Sequence, residues 1–138
     1  MSIRFDGKVA IVTGGAMGIG AATAKKLCEL GAAVAVLDRD ATSGEATVEG
    51  LTKAGYKASF HSCDVSRESS VKEAIDHAVE HRGGLHVLVS NAGIQRYGGV
   101  VDTSSKVWDE VFDVHVKGCF YGTKFAIPAM IKCGVDRS

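Results

Sequence analysis

A chain of 138 residues, 46% apolar and 23% charged, has the size and make-up of one globular domain with its own core. Its 16 Lys and Arg balance 16 Asp and Glu, so no long-range field attracts nucleic acid or an anionic membrane surface, and neither is expected as a partner. No apolar run reaches the roughly 18 residues that cross a bilayer, and the polar stretch Met1 to Lys8 has no signal-like apolar core, which makes a cytoplasmic location the expectation.

The first element is the apolar run Val9 to Thr13, which reads as a strand buried on both faces. Directly behind it stands "TGGAMGIG", residues 13 to 20, and then a helical pattern from about Gly18 to Leu30. Strand, glycine-rich turn and helix N-terminus together make an anion site, because backbone N–H groups converge and the helix dipole adds about half a positive charge. Gly14 lets the chain turn off the strand, Gly18 lets backbone approach a pyrophosphate, and Gly20 lets the helix pack close to the sheet. On that helix Ala24, Leu27 and Cys28 face inward, Lys25, Lys26 and Glu29 outward, and Gly31 stops it.

Further strands are expected at Ala32 to Leu37, Lys57 to Cys63 and His86 to Ser90. Helices are expected at about Ser43 to Ala54, from an N-cap at Ser66 to about His81, and from Ser104 or Ser105 to about Lys132. The order βαβαβαβα predicts a doubly wound, three-layer α/β/α domain over residues 1–138, a Rossmann fold with right-handed crossovers. In the strand order 3-2-1-4-5-6 of that fold, these strands supply 3-2-1-4. The fourth would then be a bare apolar edge, so the chain reads as the front part of a larger domain, apparently incomplete at its C-terminus. The four cysteines, Cys28, Cys63, Cys119 and Cys133, show neither CxxC nor metal-ligand spacing with the five histidines; they read as buried thiols, and no metal site is expected.

The glycine spacing G-x-x-x-G-x-G, together with Asp38, "CDVS" (Cys63 to Ser66) and "NAG" (Asn91 to Gly93), resembles the short-chain dehydrogenase/reductase family in order and spacing across essentially the whole chain. The resemblance implies a cofactor loop at Gly14, Gly18, Ile19 and Gly20. It places Asp38 on the adenosine ribose hydroxyls, where a carboxylate repels a 2′-phosphate and favours NAD over NADP, with Arg39 beside it as the group that could pair with such a phosphate. Asp64 would bond the adenine amino group and Val65 supply a backbone contact. Asn91, Ala92 and Gly93 would pass the nicotinamide ribose, Asn91 also bracing the sheet.

Family members move a hydride between the nicotinamide and a secondary alcohol or ketone, so a small alcohol or carbonyl compound is the implied substrate. The family's acid/base is a Tyr with a Lys four residues on, assisted by a Ser. Tyr56, Tyr97 and Tyr121 are followed at that position by Phe60, Val101 and Phe125, so none qualifies. Tyr121 and Lys124 read as an incidental helix pair, and the family's Ser, Tyr and Lys are expected beyond Ser138. The family's fourth catalytic position, an Asn that sustains a break in the helix and holds a water, is His115 here. An imidazole can donate and accept and could keep that relay, whereas its alternative role is packing on a face with Val111 and Cys119. Gly118, Gly122, Trp108, Phe112 and Phe120 suit the homodimer or homotetramer contact that the family forms through the helix around Ser105 to Lys132; the alternative is packing on the protein's own sheet, and one helix can do both. A rival reading is a short, non-catalytic module that binds NAD or caps a partner.

Overall fold

Alternation along the first two strands sets the layers. In β1 (Val9–Thr13), Ala10 and Val12 point to one side of the sheet and Ile11 to the other; in β2 (Ala33–Asp38), Val34 and Val36 share the first side, Ala35 and Leu37 the second. All seven side chains are essentially fully buried, as strands covered on both faces must be. Two helices meet the first side: α1 (Gly18–Glu29) with Ala24, Leu27 and Cys28, and α2 (Ala41–Lys53) with Leu51. The other side takes α3 (Glu68–Arg82), through Val71, Ala74, Ile75 and Ala78, and Ala126 of α5 (Gly118–Lys132). This computed structural model describes residues 2–134; the remaining residues of the expected 1–138 domain lie outside the described residues.

The four strands are parallel and ordered β3-β2-β1-β4, with β3 at Ala58–Ser62 and β4 at Val87–Val89. The doubly wound α/β architecture is therefore as expected. Two strands are less buried than their composition implies. In β3 only Ala58 is buried, because the strand is the sheet's margin, and the residues of β4 are half-buried, since β1 is their only partner among the described residues.

Helix ends follow local chemistry. Gly31 (φ 102°) and Gly55 (φ 92°) adopt the left-handed conformation, and the paired bonds Gly31 N–H to Cys28 O, Ala32 N–H to Leu27 O, Gly55 N–H to Thr52 O and Tyr56 N–H to Leu51 O close α1 and α2 as Schellman motifs. Helix α2 starts two residues earlier than its sequence pattern implies, because Asp40 accepts from Ser43 N–H at 3.0 Å and caps it. Those bonds from the Ser43 amide and hydroxyl also hold the Asp40 carboxyl below the usual carboxylate range. Ser66 is not the cap of α3: its amide and hydroxyl both turn back to Asp64 Oδ1, and Arg67 takes the cap position without a side-chain bond.

The long last helix is interrupted. Helix α4 (Ser105–Phe112) runs into a π-helical turn at Asp113–Lys117, with His115 at its middle, and then into α5. In α5 Gly118, Gly122 and Ala126 are buried; a Cβ at Gly118 would stand 3.0 Å from Val65 Cγ2. The two glycines thus serve packing within the chain, while Trp108 and Phe120, 58% and 59% exposed, face out.

The cysteines divide. Cys28 and Cys63 are buried as expected, and burial pushes each thiol up to about 11, whereas Cys133 is half-buried and Cys119 is exposed because inward-facing Gly118 and Gly122 turn it outward. At pH 8, iodoacetamide should label Cys119 at least about tenfold faster than Cys28 or Cys63, which should react only in denaturant. Mass spectrometry of timed digests checks this, and equal rates would contradict the packing.

Candidate functional site

Parallel pairing brings every strand's C-terminal end to one edge, and the chain leaves β1 and β4 there in opposite directions, the crevice in which such sheets take ligands. The segments after all four strands meet at this edge. Gly14 (φ 65°) turns the chain off β1 so closely past the 91–93 segment that a Cβ would lie 2.7 Å from Ala92 Cα. A Cβ on Gly20 would collide with the Gly14 carbonyl oxygen and stand 2.6 Å from Asn91 Nδ2. Gly20 therefore lets α1 close onto the loop itself and onto Asn91, a tighter demand than the helix–sheet approach its spacing suggests.

A residue without an assigned role holds this junction. Thr13 is 3% exposed, and its Oγ1 accepts from the backbone N–H of Asn91 (3.0 Å) and of Ala92 (3.1 Å). Asn91 Nδ2 in turn donates to the carbonyls of Thr13 (3.2 Å) and Gly14 (3.1 Å). Thr47 of α2 ties the far side of the loop down, donating to Ala16 O at 2.6 Å. The linear signal for Thr13 is a hydroxyl closing an otherwise apolar run; its partners lie 78 and 79 residues away and cannot be read from spacing.

The rest of the loop is left open. Met17, at the N-cap of α1, makes no side-chain capping bond, and the first turn carries no acidic residue. Among the described residues no acceptor takes the amide N–H of Met17, Gly18, Ile19 or Gly20. Gly18 has φ 58° and nothing within 4 Å of where a Cβ would sit, so backbone lines an open space there. Ile19 is 79% exposed beside it. A helix start with free donors, no carboxylate and a local positive dipole is a cradle for an anion.

Asp38, half-buried at the end of β2, is fixed by two backbone donors, Ala16 N–H to Oδ2 (3.1 Å) and Asp40 N–H to Oδ1 (3.0 Å). Each oxygen keeps a lone pair, so the carboxylate can still accept from a ligand hydroxyl. Exposed Arg39 lies next to it. Asp64 uses Oδ1 in the turn to Ser66, and its N–H donates to Ser70 Oγ at 2.9 Å; Oδ2 has no partner among the described residues. Val65 is buried against Gly118.

His115 reaches this edge from the π-turn. A Cβ on Gly93 would stand 2.5 Å from its Cε1. Nε2 lies 2.8 Å from Ile94 O and 3.1 Å from Ile94 N, so it donates to the carbonyl when it carries the proton and accepts the Ile94 amide when it does not. The packing role on a helix face with Val111 and Cys119 is corrected: His115 is exposed, and its ring is bonded to the backbone of Ile94. Lys124 pairs with Glu68 on α3, not with Tyr121.

The family model for short chain dehydrogenase matches residues 8–136. The 2,5-dichloro-2,5-cyclohexadiene-1,4-diol dehydrogenase LinX of Sphingobium indicum is 40% identical over 134 residues, which are 97% of this chain and 54% of that protein. Short-chain dehydrogenase reductase 3a of Arabidopsis thaliana is 38% identical over 99% of this chain and 52% of its own length. The crystal structure of a short chain dehydrogenase/reductase from Burkholderia phymatum in complex with NAD superposes with a TM-score of 0.91 at 35% identity, covering 96% of this chain and 47% of that one. The chain spans about half the length of the curated relatives it matches.

Replacing Thr13 by Val keeps the shape and strands the amides of Asn91 and Ala92, so the chain should lose about 1–3 kcal/mol in urea unfolding, with Thr13→Ser recovering most of it. A Thr13→Val chain as stable as the parent would contradict the junction.

Proposed function

Because the chain belongs to the short-chain dehydrogenase family, we propose that it supplies the cofactor-binding part of an oxidoreductase that moves a hydride between NAD and a secondary alcohol or ketone. The observation that carries this reading is the run of amides at Met17 to Gly20 with no acceptor among the described residues, facing open space at Gly18 with no acidic residue in the first turn of α1. Those donors would hold the diphosphate, and exposed Ile19 would cover it. The free lone pairs of Asp38 would accept the adenosine ribose hydroxyls, and the fixed position of that carboxylate disfavours a 2′-phosphate, so NAD is preferred to NADP. Asp64 Oδ2 and the Val65 backbone would meet the adenine. Asn91, Ala92 and Gly93, pinned by Thr13, would carry the chain past the second ribose. When bound, the nicotinamide supplies or receives the hydride.

His115 would stand at the family's Asn position and keep the water relay there, its imidazole presented by the π-turn and anchored through Nε2 to the Ile94 backbone. The same family reading gives the exposed side chains Trp108 and Phe112, stacked at 4.7 Å, and Phe120 a place in a homodimer or homotetramer contact. Among the described residues no helix is long and apolar enough to cross a membrane.

Titration of the chain with NADH, followed by nucleotide fluorescence, should give saturable binding that Gly18→Val weakens at least about tenfold while the unfolding transition stays cooperative. Unchanged affinity in that variant would overturn the assignment of the loop. In the same titration NADH should bind at least about tenfold tighter than NADPH, and Asp38→Ala should bring the two within about threefold; equal affinities in the parent would remove the role of Asp38.

A further inference from the structure

Helix periodicity gathers donors that the linear sequence spreads out. His77, Glu80 and His81 occupy positions i, i+3 and i+4 on α3, a His-x-x-Glu-His spacing that sets two imidazoles and a carboxylate on one helix face. From β3, Ser59 and His61 project to the same side of the strand, two residues apart. These five residues and Phe60 line one cleft of about 430 Å³, on the margin of the sheet and away from the glycine loop.

The rings of His61 and His81 are 6.3 Å apart between centroids at an interplanar angle of 68°. Two imidazoles sharing a tetrahedral ion, with metal–nitrogen bonds of about 2.0–2.1 Å, have centroids roughly 5–6 Å apart, a separation near that of this pair, which would reach it by a side-chain rotation that turns the ring nitrogens toward one point. Among the described residues no three donors already converge on a point. His77, Glu80 and His81 are exposed, and the cluster's one side-chain hydrogen bond among the described residues joins Ser59 Oγ and His61 Nε2 at 3.1 Å, so the helix side chains are free to rotate inward. Arg82, next on the helix, opposes a cation, and the Glu80 carboxylate offsets it.

We propose that His61, His77 and His81, with Glu80, bind a divalent first-row transition ion that clamps the edge strand β3 to α3. Imidazole donors select zinc, nickel or copper over magnesium or calcium. The site is independent of the hydride-transfer reading, since none of its residues belongs to the glycine loop or its supports, and it departs from the metal-free expectation drawn from cysteine and histidine spacing along the chain.

Calorimetric titration of Zn²⁺ into the chain carrying Cys119→Ser, which removes the exposed thiol as a rival ligand, should give one ion per chain and a higher melting temperature. His77→Ala and His81→Ala, both at exposed positions, should each weaken binding at least about tenfold and abolish the thermal gain, and His61→Ala should do the same. Mg²⁺ should give neither effect. Absence of Zn²⁺ binding, binding indifferent to His77→Ala and His81→Ala, or equal binding of Mg²⁺ would overturn the proposal.

Discussion

The approach of two backbone segments, Gly14 behind β1 and Ala92 behind β4, is the constraint on which the rest of the edge depends. A single Cβ at Gly14 would close to 2.7 Å of Ala92 Cα, so the loop and the strand-four segment touch through backbone alone. Thr13 and Asn91 stitch that contact from both sides with four hydrogen bonds. Such bonds contribute most by what they prevent, because a buried amide without a partner costs more than its bond contributes. With the loop fixed, the start of α1 has one position relative to the sheet, and its unused donors point into open space in place of folding back on the chain.

The same arrangement distributes polar groups between structure and ligand. Asp38 spends one lone pair of each oxygen on the loop and on its own turn, and Asp64 spends Oδ1 on the turn to Ser66. What has no partner among the described residues, the amides of residues 17–20 and the outer lone pairs of two carboxylates, lies along the one edge where strands β1, β2 and β3 end. Donors at one place and acceptors at two others match a ligand with an anionic middle and hydroxyl- and amino-bearing parts beyond it, the pattern of a dinucleotide. Shape is supplied by backbone and by half-buried groups, so the edge is organised before any ligand arrives.

Much of this was legible in the sequence, and the limits are physical. The apolar runs of β1 and β2 have no other stable place than between two helical layers, and the glycines of "TGGAMGIG" have no use in a helix or strand interior, so fold and loop follow from local pattern. Thr13 stayed hidden because a hydroxyl's partners are tertiary, and its two amides come from the far end of the sheet. Ser66 is ambiguous in the sequence because Ser-before-helix fits both an N-cap and a turn onto the preceding Asp, and only the backbone path chooses between them. Cys119 misled through its apolar neighbours: the glycines flanking it in the helical repeat take the inward face. The π-turn at Asp113–Lys117 is legible in the sequence through the resemblance alone, since nothing in the spacing of "DVHVK" separates a wide turn from an ordinary one.

Nuclear magnetic resonance of ¹⁵N-labelled chain titrated with NAD tests the central claim most directly, because it reads the amides themselves. The account predicts that the resonances of Met17, Gly18, Ile19 and Gly20 shift most and saturate together with those of Asp38 and Ala92. Saturable binding that leaves the four loop amides unmoved while other residues shift would contradict it.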